Sequence, residues 1–355
     1  MKPLRYVLIG VGGWGQHWCT RVLPRLKEMG IAEAVAAVDI NPDVLPKAHL
    51  IGLDEDRLYT DARAAVREHR PDFVVIVVPP AHHEEMVDLA VEYGCHILSE
   101  KPIADSMAAC CRIYKKVTQA GFKMAVTMSH RFDQDKQSLE AAIKSGAYGP
   151  LNYIVHRFTH NCRAFASWGK FRHEIPDPLL VEGTVHHFDI LRALSGSDAK
   201  SVYAVTWNPP WGEYQGDSTG LITIEMQNGV KCLYEGAKAN ASTLNGWEQD
   251  YIRAECENGT LELDRRWLRV LRGGAWERPL AQDLPLLQQP VWLNAWLAEL
   301  FCRWLNGGPA PANTLEDNIQ CSALLFAAIE SAHTRQIVDV QEFLARNMAE
   351  GESVL

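Results

Sequence analysis

Three stretches of this chain carry residue types that can do chemistry. Gly10, Gly12 and Gly15, with Gly13 and Trp14 between the last two, spell G-x-G-x-x-G directly after an apolar run and directly before a helical pattern. In that setting the first glycine makes a tight turn, the second lets the backbone approach a pyrophosphate, and the third lets helix and strand pack closely. Amides at the helix N-terminus then hold the anion. An ordinary tight turn is the other reading. Asp39 lies 24 residues beyond Gly15, at the end of "AAVD", near the offset at which a carboxylate accepts hydrogen bonds from an adenosine ribose. An anion there repels a 2'-phosphate, and no Arg follows immediately to receive one, so these residues predict NAD, with NADP the less favoured cofactor. Alternatively, Asp39 is a turn residue ahead of Asn41 and Pro42.

The second stretch is "HILSEKP", where Glu100, Lys101 and Pro102 end an apolar run. Ligands of open α/β sheets sit at the carboxyl ends of strands. A lysine there can hydrogen-bond a hydroxyl and stabilise the alkoxide that develops as its carbon loses hydride. Glu100 then holds the ammonium or contacts the cofactor ribose. A surface ion pair at a turn is the bland alternative. A neighbouring strand end, "VVPPAHHEE", places Val78 and Pro79 beneath the cofactor, and Pro79 and Pro80 stop the strand. His83 begins the next helix, either as a cofactor contact or as a partly exposed cap.

The third stretch, "IPDPLLVEGTVHHFDILRALSG", predicts a helix with Asp177 as N-cap, Pro178 at the first helical position and Gly196 after its end. Glu182 and His186 are four apart and Asp189 is three further on, so α-helical spacing puts all three on one side. An imidazole suits the removal of a hydroxyl proton, and a carboxylate one turn away can orient it. A solvated helix face is the competing reading. His156, His160, Cys162, His173, His186 and His187 gather in the same region, but their spacing reproduces no known zinc pattern, so no metal is expected.

The elements that must position these residues follow from hydrophobic pattern. "RYVLI", "AVAAVD", "FVVIVV", "HIL" and "KMAV" are apolar at nearly every position and alternate with helical stretches such as 84–93 and 106–120. Such strands belong to a parallel sheet covered on both faces, the doubly wound pattern. After about residue 130 the texture changes. A helix over 134–145 leads to strands with polar and apolar residues alternating, "LNYIVHRFT", "SVYAVTWN", "TGLITIEM", "VKCLYEG", "YIRAEC", "GTLELD" and "WLRVLR", and a two-residue Asn228-Gly229 turn is expected between the third and fourth. Alternation predicts a largely antiparallel sheet with one buried face and helices on one side. Helices over 292–305 and 316–334 close the chain.

Composition bounds the rest. At 355 residues two domains are the default. A net charge of -9 without Lys/Arg runs argues against nucleic acid. Nine scattered cysteines, with Cys110 and Cys111 placed for packing on a buried helix, indicate a reduced compartment, and with no signal-like N-terminus or membrane-length apolar run the expectation is a cytoplasmic protein.

Taken in order, "VLIGVGGWG", "VVPPAHHEEM", "SEKPIADS", "EGTVHHFDILRALSG" and "TLEDNIQCSALLFAAIESA" resemble the glucose-fructose oxidoreductase and inositol dehydrogenase family, Gfo/Idh/MocA, over nearly the whole chain. The resemblance implies an α/β N-terminal Rossmann domain, assigned to residues 1–128, and an α+β domain on a large open sheet, assigned to 129–355, which binds substrate and builds homodimers or homotetramers. It implies hydride transfer between nicotinamide and a secondary alcohol carbon of a sugar, glycoside or cyclitol. By position the family's lysine is Lys101 and its histidine is His186. Its aspartate falls on Glu182, a departure that adds one methylene, and Thr184 stands where the family has glycine, with Gly183 beside it. Arg131 matches a basic position near the site, facing cofactor and substrate. In the long run "THNCRAFASWGKFRHEIPD", Trp168 can stack on a pyranose while Arg163 or Lys170 binds an acidic substituent, or the run packs on a neighbouring subunit. Two alternatives accompany the dehydrogenase: an oxidoreductive glycosidase or lyase that uses NAD transiently, and a non-catalytic dinucleotide-binding regulator.

Overall fold

The structure is a computed structural model that describes residues 2–350. It divides into two compact units. The first takes the chain up to Ser129 together with Val291–Ile319 and the stretch from Asn347; the second takes His130–Pro290 and Gln320–Arg346.

The first unit is built on six parallel strands, β1 (Leu4–Ile9), β2 (Ala32–Val38), β3 (Leu58–Tyr59), β4 (Phe73–Ile76), β5 (His96–Ser99) and β6 (Met124–Val126), in the order β3-β2-β1-β4-β5-β6. The order reverses between β1 and β4, which opens a crevice at the carboxyl ends of those strands. All four residues of β4 are buried, as expected for a strand covered on both faces. β4 ends at Ile76, short of the apolar run, although the Val77 N–H still reaches the Ile9 carbonyl at 2.7 Å. Helix Met107–Ala120 is capped by Ser106, whose hydroxyl accepts from the Ala109 N–H, and is stopped by Gly121 at φ +71°. It buries Cys110 and Cys111 completely. Helix Leu293–Leu305 adds Phe301, which meets Phe73 edge to face at 5.5 Å.

The second unit carries nine strands: β7 (Leu151–Thr159), β8 (Ala199–Trp207), β9 (Thr219–Met226), β10 (Lys231–Ala237), β11 (Tyr251–Cys256), β12 (Gly259–Asp264), β13 (Trp267–Arg272), β14 (Leu280–Asp283) and β15 (Val338–Asp339). Their order is β14-β13-β12-β11-β7-β10-β9-β8-β15, and only β7 and β10 run parallel. β8 shows why one face is core: Val202, Ala204 and Thr206 are buried while Tyr203 and Trp207 are exposed. The hairpin between β9 and β10 differs from expectation. Gly229 alone takes positive φ, its N–H bonds the Met226 carbonyl at 2.9 Å, and Met226 N–H bonds Val230 at 2.8 Å. That is a three-residue connection with a left-handed glycine, not a two-residue turn, because Asn228 stays out of the left-handed region and turns its side chain to the Ser195 carbonyl. β14 went unforeseen because "LAQD" is exposed at all four positions and leaves no alternation to read. No helix among the described residues is long and apolar enough to cross a membrane.

Candidate active site

The glycine turn of the first unit is dictated by close approach. A Cβ on Gly10 would stand 2.2 Å from the Val77 carbonyl oxygen, and one on Gly15 would stand 2.2 Å from that of Gly10, so only hydrogen fits at either position. The helix that follows spans 15–28, with its middle turn, Trp18–Val22, wound as π. Asp39 closes the turn from the end of β2: one carboxylate oxygen accepts from Val11 N–H and Gly12 N–H, both at 2.9 Å, and the other accepts from Asn41 N–H at 3.0 Å. Asp39 therefore caps the Asn41 turn, the structural role expected of it, and also braces the glycine loop.

Glu100 and Lys101 follow β5. One Glu100 oxygen accepts two indole N–H groups, from Trp14 and Trp18, each at 2.8 Å, and the other accepts the Lys101 backbone N–H at 3.2 Å. Glu100 is nearly buried and Trp18 wholly so, while Trp14 is about half exposed beside the glycines. On the far side of the Lys101-Pro102 peptide, which is cis, His83 faces the carbonyls of Pro102 and Ile103 with Nδ1 (3.0 and 3.2 Å) and that of Val78 with Nε2 (2.9 Å). His83 is fully buried, so it is not the partly exposed cap that a helix-start position suggested; its ring braces the Val78 strand end against the turn carrying Lys101. Burial pushes its pKa down, with the three carbonyls opposing. Pro79 lies exposed just before the short turn Pro80–His82.

In the second unit the helix over 179–195 begins differently from the sequence expectation. Asp177 has φ +49° and turns its carboxylate to His333 Nε2 at 2.9 Å, so it provides no side-chain cap, and Leu179–Thr184 is wound as π before the α-helix Val185–Ser195. Glu182, His186 and Asp189 would share one face only under α-winding throughout, and the π-turn that contains Glu182 shifts that phase. Gly196 ends the helix at φ +65°, as expected. Every residue of Val185–Ser195 is buried, which removes the solvated-face reading. Both carboxylates near His186 pair with guanidinium groups: Glu182 accepts from Arg172 Nε at 2.9 Å, and Asp189 meets Arg131 at 3.3 Å and Arg192 at 3.5 Å.

Around His186 the structure gathers rings that lie far apart in the sequence. Trp247 packs within 5.8 Å of His186, 4.8 Å of His130 and 4.4 Å of Phe158, by ring centroids. Lys238, just past β10 and fully buried, sets its ammonium 3.7 Å from the Phe158 ring centre, 4.2 Å from Trp168 and 4.7 Å from Trp247. Trp247 and Lys238 were missed because neither lies in a motif; the one available signal was the clustering of Trp and Lys near predicted strand ends. Of the loop residues, Trp168 is half-buried against Lys238, whereas Arg163 and Lys170 are exposed, and Lys170 lies 3.7 Å from Glu174.

Deeper in the same unit, Lys136 is buried between Asp250 (2.6 Å), Asp135 (3.1 Å) and Asp133 (3.4 Å). His156 and His187 approach Asp250 at 3.1 and 3.4 Å, giving three side chains at metal-ligand spacing. The carboxylate they share is already neutralised by Lys136, and His187 is held by the Tyr234 hydroxyl at 2.9 Å, so the group reads as a buried charge and hydrogen-bond network. Burial opposes ionisation of Asp250, but Lys136 and the imidazoles outweigh it and hold the carboxyl well below its usual range.

Comparison with known proteins matches residues 4–128 to "Oxidoreductase family, NAD-binding Rossmann fold" and residues 140–340 to "Oxidoreductase family, C-terminal alpha/beta domain", the two halves of one family. The chain belongs to the Gfo/Idh/MocA oxidoreductase family. It is 45% identical over 344 residues to the protein y4oX of Sinorhizobium fredii, covering 95% of both chains. It is 27% identical over 300 residues to inositol 2-dehydrogenase 4 of Saccharopolyspora erythraea, covering 81% of this chain and 82% of that one. Among solved structures, an oxidoreductase from Agrobacterium radiobacter in complex with NAD+, L-tartaric acid and magnesium superposes with a TM-score of 0.83 at 21% identity, covering 96% and 99% of the two chains, a likeness of fold.

The NAD-binding Rossmann unit of this Gfo/Idh/MocA chain fits its cofactor on the geometry of the glycine turn. No atom lies within 4 Å of where a Cβ on Gly13 would stand. Among the described residues, the N–H groups of Gly13 and Trp14 meet no carbonyl or side chain. Open space bounded by two amides at a helix start suits the pyrophosphate of a dinucleotide, and Asp39 holds the same turn through the Val11 and Gly12 N–H groups.

Proposed function

We propose that the protein is an NAD-dependent dehydrogenase acting on a secondary alcohol carbon of a sugar, glycoside or cyclitol, with Lys101, His186 and Glu182 as its catalytic residues. The reading is carried by the way Lys101 is held. Its turn is clamped on one side by the two indoles on Glu100 and on the other by His83, in the unit that bears the glycine turn and at the carboxyl end of β5. When bound, NAD supplies the acceptor for the hydride. Gly10, Gly12, Gly13, Trp14, Gly15, Asp39, Val78, Pro79 and Glu100 hold it, and Arg131 serves cofactor and substrate. Lys101 hydrogen-bonds the substrate oxygen and stabilises the negative charge that develops on it. His186 takes the hydroxyl proton, and Glu182, fixed by Arg172, tunes that imidazole. The name inositol 2-dehydrogenase on a relative supports a polyol substrate.

Residues 1–128 then serve NAD and residues 129–355 serve substrate and assembly. Self-association as a homodimer or homotetramer is supported by the outer face of the second sheet, where Tyr203, Trp207, Leu221 and Leu233 are exposed. Nine cysteines without a disulfide support a cytoplasmic location. The test is a panel of sugars and inositols with NAD or NADP, following absorbance of the reduced nicotinamide. Net reduction with NAD is expected, and Lys101→Ala should lower kcat by at least about 100-fold. Full turnover in that variant would refute the assignment.

A further inference from the structure

Trp14 is the aromatic member of the glycine turn, and the fold leaves it 53% exposed. A surface indole is ordinarily free to swing, but this one is fixed twice. Its Nε1 donates to Glu100 at 2.8 Å, and one face of the ring lies flat on His17, with centroids 4.3 Å apart and planes within 11°. Among the described residues no other ring or charged group meets the indole, so the face opposite His17 is the part left open. Trp14 follows β1 and Glu100 follows β5, with β4 between those strands in the sheet. The Glu100 N–H bonds the Ile76 carbonyl at the end of β4 at 2.8 Å, so the bond from Trp14 to Glu100 spans the carboxyl edge where the strand order reverses. At one end of that span lie the Gly13 and Trp14 amides and the open space at Gly13; at the other is the backbone of Lys101, whose N–H bonds the second Glu100 oxygen at 3.2 Å. A dinucleotide with its pyrophosphate on those amides and its ring brought toward Lys101 passes the open face of Trp14.

We infer that the open face of Trp14 packs on the oxidised nicotinamide ring and makes the cofactor site selective for NAD+ over NADH. The two redox forms differ in the property an indole face reads. Oxidised nicotinamide is a pyridinium, a cation spread over an aromatic ring, whereas the reduced ring is neutral and no longer aromatic. Among side chains the face of tryptophan attracts a cation best. Trp14 therefore separates the forms by charge, and NADH leaves more readily than NAD+ once hydride has been taken up. Trp18 shares the same Glu100 oxygen at 2.8 Å but is wholly buried, so it serves only to hold Glu100 in place. The inference rests on the dehydrogenase reading for the direction of the ring toward Lys101, and adds to it a residue that sets which redox form the site retains.

The experiment uses the full chain and needs no turnover. Calorimetry gives Kd for NAD+ and for NADH in the wild type, in Trp14→Leu, which keeps an apolar side chain without a π face, and in Trp14→Phe, which keeps a face. In Trp14→Leu the ratio of Kd for NADH to Kd for NAD+ should fall by about fivefold or more, within the range of a cation–π contact, and Trp14→Phe should keep part of it. Independently, NAD+ added to the wild type should produce a long-wavelength charge-transfer absorbance that NADH does not produce and that Trp14→Leu lacks. Should Trp14→Leu fail to fold, the wild-type absorbance and Trp14→Phe decide. An unchanged ratio, even with both forms bound more weakly, would make Trp14 a plain apolar contact and overturn the inference, as would absence of the charge-transfer absorbance or of binding by either form. Polyol oxidation with an unchanged ratio leaves the dehydrogenase intact. A Trp14-dependent ratio in a protein that oxidises no polyol upholds the inference and sinks the dehydrogenase reading instead.

Discussion

Trp18 donates its indole N–H to Glu100 across 2.8 Å although 82 residues separate them, and that bond joins the helix behind the glycine turn to the turn carrying Lys101. Trp14 duplicates it at the same oxygen. The glycine turn and the backbone of the turn carrying Lys101 are thus joined through one carboxylate.

Replacing Glu100 by Gln keeps the shape but removes the charge and presents N–H donors toward donors on one side or the other. A hydrogen bond to a charged group contributes ~1.5–3 kcal/mol. The variant should melt several degrees lower and lose kcat more than NAD affinity, which thermal denaturation and NADH titration would show. An unchanged melt and unchanged kcat would mean the clamp has no energetic role.

Asp39→Ala should weaken NAD by about tenfold or more and narrow the preference over NADP, since it removes the acceptor for two loop amides along with the anion that repels a 2'-phosphate. The check is KM for both cofactors. A variant with wild-type KM for NAD would show that Asp39 is only a turn brace.

His160 is held down to about 4, first by burial and then by the Lys238 ammonium. Its Nε2 accepts the Trp247 N–H at 3.0 Å, which requires that nitrogen unprotonated. An unfolded histidine titrates near 6.5. Between those values the unfolded chain binds the extra proton, so stability is full above ~6.5 and falls as pH drops toward 4. Melting temperature against pH should show that slope, and His160→Gln, which keeps an acceptor, should flatten part of it. An identical slope in the variant would remove His160 as its source.

Lys136→Met leaves Asp250, Asp135 and Asp133 without their shared cation. Breaking a buried ion pair from one side costs ~3–5 kcal/mol. Soluble yield and melting temperature should both drop sharply, and Lys136→Met combined with Asp250→Asn should recover part of the loss. No recovery in the double variant would show that the effect is lost packing rather than stranded charge.

Much of the first unit was legible because its signals are local. Ser106 and Gly121 bound a helix through bonds to residues three or four positions away, and Gly10 and Gly15 sit where only glycine fits. The existence of β9 and β10 was readable from alternation, but the two-residue turn assigned between them would set the register one residue off the observed pairing of Lys231 with Glu225. The buried helix Val185–Ser195 was harder. Its sequence mixes His, Asp and Arg with Leu, which suggests a wet face, yet Asp189 and His187 are drawn inside by Arg131 and Tyr234 from elsewhere in the unit.

The sequence alone determined the succession of the main strands and helices along the chain, the glycine turn and the identity of the family, because hydrophobic period, caps and close backbone approach act over a few residues. Tertiary structure decided which partner each charged group takes: the indoles for Glu100, Arg131 for Asp189, Arg172 for Glu182 and three aromatic faces for Lys238. Those choices depend on contacts between segments far apart in the chain, and a buried charge takes the partner that packing brings within reach.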